Sequence, residues 1–205
     1  MPLYRDFSND DATIWLWKYD ASETLDEAEL LEVENFEKVK NYHPQKKIEV
    51  LMVRQMLQKL KPNTKILYHE RQPYLSPEDG VQISITHSFP FAAIALSSKK
   101  IGIDIERFKE KIRRVQDKFL FEEEAVFIPK NDDIKFLTII WSLKESLYKL
   151  HHSKYWSLKR HYTIAPFHLE GLREVKCVVH DQYFRDEYKA RVEFFDDYCF
   201  TVVVD

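Results

Sequence analysis

Glycine is scarce in this sequence, with three among 205 residues, at positions 80, 102 and 171. A phosphate-binding loop of the Walker or Rossmann kind needs several closely spaced glycines, so the sequence excludes both. A bound phosphate would therefore have to be held by side chains, by single backbone amides or by a metal ion.

Long hydrophobic runs, a basic excess and closely spaced cysteines are also missing. No apolar run approaches the roughly 20 residues that cross a bilayer, and the N-terminus lacks the basic start and apolar stretch of a signal peptide. The net charge of −3 does not indicate general affinity for nucleic acid. Cys177 and Cys199 lie 22 positions apart, without metal-site spacing. We therefore expect a cytoplasmic protein with two buried thiols and no membrane or nucleic-acid partner.

Hydrophobic residues make up 44% of the chain, enough for one large domain or for two small halves that share a core. In the first part, the patterns predict a strand over residues 12–20 and helices over 25–40 and 45–60, the second opened by Pro44. Residues 66–80, with two prolines and a glycine, are predicted to form a loop after a short strand.

Three β-type segments follow, VQISITH (81–87), FAAIALS (91–97) and IGIDIE (101–106). Their connections are too short for a parallel crossover, which takes a dozen residues or more. The sequence therefore predicts a three-stranded antiparallel meander.

The second part repeats the order of helices before strands. Helical patterns cover residues 108–128 and 134–150. Four β-rich runs come after them, near residues 161–165, 173–180, 187–195 and 198–204. This order of helices before strands hints at an internal duplication, although no residue-level repeat supports it.

Two carboxylates share one face of the strand predicted from IGIDIE. The isoleucines at 101, 103 and 105 have one parity, and Gly102, Asp104 and Glu106 have the other. Two acids at i and i+2 suit a hard cation such as magnesium, which binds few protein carboxylates together with phosphate oxygens. The solvent-exposed face of an ordinary antiparallel strand is the alternative, and it is the better interpretation unless a third ligand is found.

The helix predicted from WSLKESLYKL offers that third ligand. Glu145 and Lys149 are four residues apart and lie one turn above the other on one side of the helix. Glu145 is a candidate metal ligand and Lys149 a candidate phosphate contact. An ordinary surface ion pair explains the same spacing.

His87 ends the first strand of the predicted meander. The first and third strands run the same way, which places His87 and the pair Asp104 and Glu106 at one end of the sheet, about 10 Å apart. His87 shares its parity with Ile83 and Ile85, however, so a histidine buried in the core is the alternative.

Basic residues on the second helix are candidates for phosphate binding. Lys47 and Arg54 are seven residues apart and share a helical face, followed by Gln58 and Lys61. A polar outer helix face explains the same pattern adequately.

Together, these segments resemble the motifs of the 4′-phosphopantetheinyl transferases, in the longer, pseudo-dimeric class typified by the surfactin-synthetase activator. The family pattern is a G-K-P-x-L loop, a strand ending in S-H-S, then G-[IV]-D-[IV]-E and W-[ST]-x-K-E-[AS]-x-x-K. The sequence has RQPYL, ISITHS, IGIDIE and WSLKESLYK in the same order, and the upstream VRQML also looks like the family's arginine-bearing helix. The resemblance implies two similar α+β halves related by a pseudo-twofold, residues 1–101 and 102–205, with coenzyme A in the cleft between them.

The resemblance also implies a reaction. Asp104, Glu106 and Glu145 would hold Mg²⁺ on the pyrophosphate of coenzyme A, which Lys149 would contact. A serine of an acidic apo carrier protein (of acyl, polyketide or peptide synthesis) would attack the β-phosphorus, and 3′,5′-ADP would leave. Glu145 is the candidate general base. Members of this class act as monomers, and we expect the same here.

The remaining site residues are implied in the same way. His87 would contact the 3′-phosphate of coenzyme A and counts among the catalytic residues with Glu145 and Lys149. The other expected coenzyme A contacts are Lys47 and Arg54 at the phosphate, Gln72 and Pro73 near the adenine, and Thr86, which stands where the family usually has serine.

Besides Thr86, the sequence departs from the family pattern in two further places. Arg71 and Gln72 replace the glycine and lysine of G-K-P, and residues 149–159 lack the glycine that often follows the last motif. These changes affect the expected adenine contacts and carrier recognition. Residues 107–118 are basic and offer a docking surface for an acidic carrier, although a solvated helix face explains them equally well.

Two other functions remain open. Clustered acids with a lysine also serve magnesium-dependent nucleases and phosphoesterases, but many of those use an E-x-K strand, whereas Glu145 and Lys149 have helical spacing. A degenerate, non-catalytic coenzyme A binder is the second alternative, and the retained acids and Lys149 argue against it.

Overall fold

The computed structural model describes residues 3–22, 24–31, 33–151 and 157–205. It divides into two compact units, Met1–Lys99 and Lys100–Asp205. Both units combine helices with antiparallel sheets, so the predicted α+β class is confirmed. Within the described ranges, no helix combines the length and apolar character needed to cross a membrane.

The first unit is built on an antiparallel sheet covered by one long helix. Its elements in chain order are β1 (Leu3–Asp6), β2 (Ala12–Lys18), α1 (Glu27–Leu30), α2 (Val33–Lys40), α3 (Pro44–Leu60), β3 (Lys65–His69), β4 (Gln72–Ser76), β5 (Gln82–Ser88) and β6 (Phe91–Ser97). The sheet order is β1-β2-β6-β5, with β3 and β4 as a separate pair. Met52 and Met56 of α3 are fully buried in one apolar cluster with Ile94 of β6. The predicted first strand and the helix opened by Pro44 are confirmed, whereas the helix predicted over residues 25–40 is two short helices, with residue 32 outside the described residues.

The loop predicted over residues 66–80 is wrong for most of its length. β3 and β4 form an antiparallel hairpin in which Ile66 is paired with Leu75, and both side chains are buried. The turn uses Glu70 with a positive φ of 58°. Ile66 and Leu75 belong to the same apolar cluster as Met52 and Met56 of α3, so burial against the helix stabilises the hairpin despite the two prolines.

The predicted three-stranded meander is also wrong. β6 has β2 on one edge and β5 on the other, so both of its hydrogen-bonding edges are occupied. The strand from IGIDIE, β7 (Ile101–Arg107), pairs instead with the last strand of the chain, β11 (Tyr198–Val204), in the sheet of the second unit. The short connection at residues 98–100 therefore links two sheets, and the expected neighbourhood of His87 with Asp104 and Glu106 in one sheet does not exist.

The second unit also combines one long helix with an antiparallel sheet. After β7 come two 3-10 turns (Glu110–Arg114 and Gln116–Lys118), α4 (Glu122–Ala125), α5 (Asp133–His151), β8 (Tyr162–Ile164), β9 (Glu174–His180), β10 (Arg185–Phe195) and β11. The antiparallel sheet has the order β7-β11-β10-β9-β8. Ile140, Leu143 and Leu147 of α5 are fully buried in one cluster with Val179 and Val203 of the sheet. The helix predicted over 134–150 and the four later strands are confirmed.

A continuous helix over residues 108–128 does not form. Phe119 is fully buried, and the side chain of Glu124 turns into the core to pair with Lys144 of α5, 2.7 Å away. The burial of Phe119 and the ion pair of Glu124 hold residues 108–128 in short turns against α5. The two cysteines are buried free thiols, as expected.

Candidate active site

Close approach of α5 to β7 builds the first polar cluster. A Cβ added at Gly102 would overlap the carbonyl oxygen of Ser146 and lie 2.9 Å from its carbonyl carbon. The helix backbone therefore lies directly over the strand face that carries Gly102, Asp104 and Glu106. This geometry excludes the solvent-exposed strand face considered above, and it brings α5 side chains onto both acids.

Asp104 is paired with Lys149, a contact that the sequence reasoning did not predict. Asp104 is 5% exposed, and the Lys149 ammonium donates to its Oδ1 at 2.8 Å and to the carbonyl oxygen of Ile103 at 2.9 Å. The lysine is thus held over the strand, with its charge next to the buried carboxylate. It is not a surface ion pair with Glu145.

Glu106 is held by a tryptophan that the sequence reasoning did not assign. The Trp141 indole N–H donates to Oε1 of Glu106 at 2.8 Å. Burial, together with the charge of Asp104, raises the pKa of Glu106 to about 7. Trp141, Glu145 and Lys149 recur every four residues on α5, and this stripe was the available signal for the indole's role.

Glu145 lies in the same electrostatic environment. Its pKa is raised to about 7, first by burial and then by the charge of Asp104, against the opposing effect of Lys149. The three carboxylates predicted from the sequence as metal ligands therefore influence one another within one unit of the fold.

A bound Mg²⁺ is compatible with these donors, although they do not form a ready cage. Among the residues that the structure describes, no three His, Cys, Asp or Glu side chains are placed to hold a metal ion together. Magnesium usually keeps waters and binds one or two carboxylates plus substrate phosphates. Burial and like charge raise the pKa values of Glu106 and Glu145 to about 7, and a cation that arrives with a phosphate ligand would relieve that repulsion.

Lys144, the lysine next to Glu145 in the motif, has a structural role. It is fully buried, and its ammonium donates to Glu124 Oε2 and to the carbonyl oxygen of Phe119, both at 2.7 Å. Glu124 also accepts from the amides of Phe121 and Ile164, each at 2.9 Å. Both partners of this ion pair have further hydrogen bonds, which fasten α5 to the preceding segment.

A second polar cluster lines a cavity of about 670 Å³ within the first unit. His87 and Ile85 of β5 line it, whereas Ile83 on the same strand face is in the core. His87 therefore lies where the buried face of β5 meets the cavity. Its side chain is 32% exposed, so it is not a core histidine. Arg54, predicted as a phosphate contact, also lines the cavity and is 5% exposed.

Two residues that the sequence reasoning missed contact His87. Its Nδ1 lies 3.0 Å from Oε2 of Glu49, and its Nε2 is hydrogen-bonded to the ammonium of Lys46. The sequence reasoning selected Lys47, whose ammonium pairs with Glu27 at 2.6 Å. The spacing of Lys46, Glu49 and Val53 on α3 was the signal for this face, since residues three and four apart are neighbours on a helix.

The other predicted coenzyme A contacts are in or next to the same unit's strands. Thr86 is buried, on the face of β5 opposite to His87. Gln72 and Pro73 begin β4, paired with His69 and Tyr68, and are half-buried. Their roles stay predictions, as does the role of Lys47. The glycine-free segment after Lys149 lies partly outside the described residues, at 152–156.

The match to a known protein family covers almost all of the second unit. The family model of the 4′-phosphopantetheinyl transferase superfamily matches residues 100–203. A 4′-phosphopantetheinyl transferase, gsp, of Aneurinibacillus migulanus is 29% identical over 107 residues, which cover 49% of this chain and 45% of the relative. The aligned region thus spans less than half of the relative's length. The matched region holds β7 and α5 with all four residues of the acid and lysine cluster, and the chain belongs to the 4′-phosphopantetheinyl transferase superfamily.

Proposed function

We propose that the protein transfers 4′-phosphopantetheine from coenzyme A to a serine of an apo carrier protein, with Mg²⁺, and releases 3′,5′-ADP. The observation that carries this proposal is the cluster of Asp104, Glu106 and Glu145 around Lys149. It lies within the part of the chain that matches the family model. The proposed magnesium ligands are the three carboxylates.

The residues of the cluster have separate tasks in this reaction. Bound Mg²⁺ would supply positive charge to the pyrophosphate that develops negative charge as the leaving group departs. Lys149 binds the same pyrophosphate with its ammonium, which Asp104 and the Ile103 carbonyl hold in place. Glu145 takes the proton from the serine hydroxyl as its oxygen attacks the β-phosphorus. The pKa of Glu145 is raised to about 7 in the metal-free protein, and bound Mg²⁺ would lower it, so that the carboxylate would be ionised and able to accept the proton near neutral pH.

The cavity of the first unit supports a site for the 3′-phosphate of coenzyme A. His87, Arg54 and Lys46 present positive or hydrogen-bonding groups there, and Arg71 lines the same cavity. An anionic phosphate monoester matches that charge. We extend the proposal to Lys47, Thr86, Gln72 and Pro73 as further coenzyme A contacts, on the basis of the resemblance alone.

Similar chain paths in the two units support an origin by duplication. In the first unit, β2 precedes α3 and pairs with the last strand, β6, which also pairs with β5. In the second unit, β7 precedes α5 and pairs with the last strand, β11, which also pairs with β10. We propose that residues 1–101 and 102–205 are two halves related by a pseudo-twofold, with coenzyme A bound in the cleft between them.

The proposed partner is an acidic carrier protein, and we propose a cytoplasmic monomer. Residues 107–118 form an exposed basic segment that suits such a partner. Two of its arginines already have acidic partners within the chain, since Arg107 pairs with Asp197 and Arg113 donates to Asp133 at 2.6 Å. The lysines of the segment are the better candidates for carrier contacts.

The proposal is tested by incubating the protein with coenzyme A, Mg²⁺ and a panel of apo carrier proteins, and by measuring the intact mass of each carrier. We expect one added phosphopantetheine on at least one carrier, lost on chelation of the metal. A protein that binds coenzyme A but leaves every carrier unmodified would be a non-catalytic binder. Hydrolysis of coenzyme A without carrier would indicate a phosphoesterase.

A further inference from the structure

Glu49 is fixed behind His87 by two contacts to the same strand end. The carboxylate is 8% exposed. Its Oε2 lies 3.0 Å from Nδ1 of His87, and its Oε1 accepts from the amide of Phe89 at 3.2 Å. The amide contact holds the carboxylate next to the residues that follow β5, so its position relative to the His87 ring is set by the backbone.

The hydrogen bonds around His87 define where its proton is. The ammonium of Lys46 has only donor hydrogens, so Nε2 of His87 accepts from it. Nδ1 then carries the ring hydrogen and donates to Glu49. In this arrangement no hydrogen on Nε2 points into the cavity.

An anion in the cavity changes that arrangement. The charged and titratable groups that line the cavity around His87 come from α3, from the connection between α2 and α3 and from the β3–β4 hairpin: Lys46, Glu49, Arg54, Tyr42, Tyr68, Glu70 and Arg71. A phosphate oxygen that reaches Nε2 meets a lone pair and not a hydrogen, which is repulsive. The contact becomes attractive when Nε2 takes up a proton, and the carboxylate of Glu49 across the ring then stabilises the imidazolium.

We propose that Glu49 is a positioning residue that makes phosphate binding in this cavity proton-coupled: His87 takes up one proton at Nε2 from solvent when a phosphate monoester binds. The inference rests on the proposed function, because the monoester is the 3′-phosphate of coenzyme A. Lys46 shifts from Nε2 to the phosphate in the bound state, and Glu49 keeps its contact with Nδ1 throughout.

The first test is the protonation state of His87 by ¹⁵N NMR of the histidine side chains, with the signal assigned by its loss in His87→Gln. In the free protein at slightly alkaline pH we expect the neutral ring with hydrogen on Nδ1. Saturation with coenzyme A gives the imidazolium, and saturation with 3′-dephospho-coenzyme A leaves the ring neutral. Hydrogen on Nε2 in the free protein, or a neutral ring with coenzyme A bound, would overturn the inference.

The second test is the preference for coenzyme A over 3′-dephospho-coenzyme A, measured by calorimetry in Glu49→Gln. Glutamine keeps the size and an acceptor oxygen but removes the charge. We expect the Kd for coenzyme A to rise about tenfold, as when a hydrogen-bonded charge is lost, and the Kd for the dephospho compound to stay unchanged. The ratio of the dephospho Kd to the coenzyme A Kd then falls about tenfold. Thermal unfolding checks that the variant is folded, and Glu29→Gln, at an exposed position on α1, is the matched control with an unchanged ratio.

The outcomes separate the two proposals. An unchanged ratio in Glu49→Gln contradicts the role of Glu49. A wild-type protein that binds neither compound contradicts the proposed function. The tautomer of His87 in the free protein tests the contact with Glu49 separately, because that measurement needs no ligand.

Discussion

Gly102→Ala tests how the candidate active site depends on the close packing of α5 against β7. The added methyl group would overlap the carbonyl oxygen of Ser146 and lie 2.9 Å from its carbonyl carbon and 3.0 Å from the amide nitrogen of Leu150. All three atoms belong to the helix backbone, so no side-chain rotation relieves the overlap. The helix has to move away from the strand.

The size of the effect follows from those distances. Heavy atoms in contact are ordinarily about 3.5–4.0 Å apart, and the added methyl is far closer than that to the carbonyl oxygen of Ser146, so α5 has to withdraw by roughly 1–2 Å. Overpacking of this kind costs about 1–3 kcal/mol of unfolding free energy. The same shift separates Lys149 and Glu145 from Asp104, and a misplacement of about 1 Å lowers a transfer rate by roughly a hundredfold.

Carrier modification and urea unfolding of Gly102→Ala measure the two effects in parallel. Gly171→Ala is the matched control, because its added methyl meets no atom within 4 Å but its φ of 69° is strained for alanine. The control loses about 1–2 kcal/mol of stability and keeps the wild-type rate. A wild-type rate in folded Gly102→Ala would refute the dependence of the site on this packing.

Three further changes have distinct expected results. Lys144→Met leaves the carboxylate of Glu124 buried without its cation and lowers the free energy of unfolding by about 3–5 kcal/mol; a loss under about 1 kcal/mol in urea unfolding would contradict this. Glu106→Ala abolishes metal-dependent transfer while circular dichroism shows a folded protein, and normal turnover would exclude Glu106 as a ligand. Burial and like charges raise the pKa values of Glu106 and Glu145 in the folded protein to about 7. The folded metal-free protein therefore binds more protons than the unfolded chain between about pH 4.5 and 7. Its free energy of unfolding falls as the pH rises through that window. The fall is on the order of 1–3 kcal/mol in unfolding experiments and flattens in Glu145→Gln; a wild-type profile in that variant would contradict the assignment.

The local pattern of the sequence was sufficient for β7 and α5. The alternation in IGIDIE put both acids on one strand face, and the periodicity of residues 134–150 predicted the helix that carries Glu145 and Lys149. The partner of β7 could not be predicted in the same way. Pairing with β11 joins residues about a hundred positions apart, and only the occupied edges of β6 exclude the adjacent strand.

The first-unit site shows a different limit. Neighbouring residues on an α-helix point about 100° apart, so the choice between Lys46 and Lys47 depends on where α3 packs. In the sequence, Glu49 is indistinguishable from any other polar helix residue. Its contact with His87 joins two segments that lie 38 positions apart. The orientation of a helix about its own axis is set by tertiary packing, and the pattern of charged residues alone did not determine it.

We propose that the acids around Lys149 form the catalytic centre for phosphopantetheine transfer. The most direct measurement is the single-turnover rate of carrier modification in Asp104→Asn at saturating coenzyme A and Mg²⁺, next to the wild-type protein and Glu29→Gln. Asparagine keeps an oxygen for the Lys149 ammonium but removes the charge. We expect the rate of Asp104→Asn to fall at least about a hundredfold, with Glu29→Gln at the wild-type rate. Transfer by Asp104→Asn at the wild-type rate would contradict the claim.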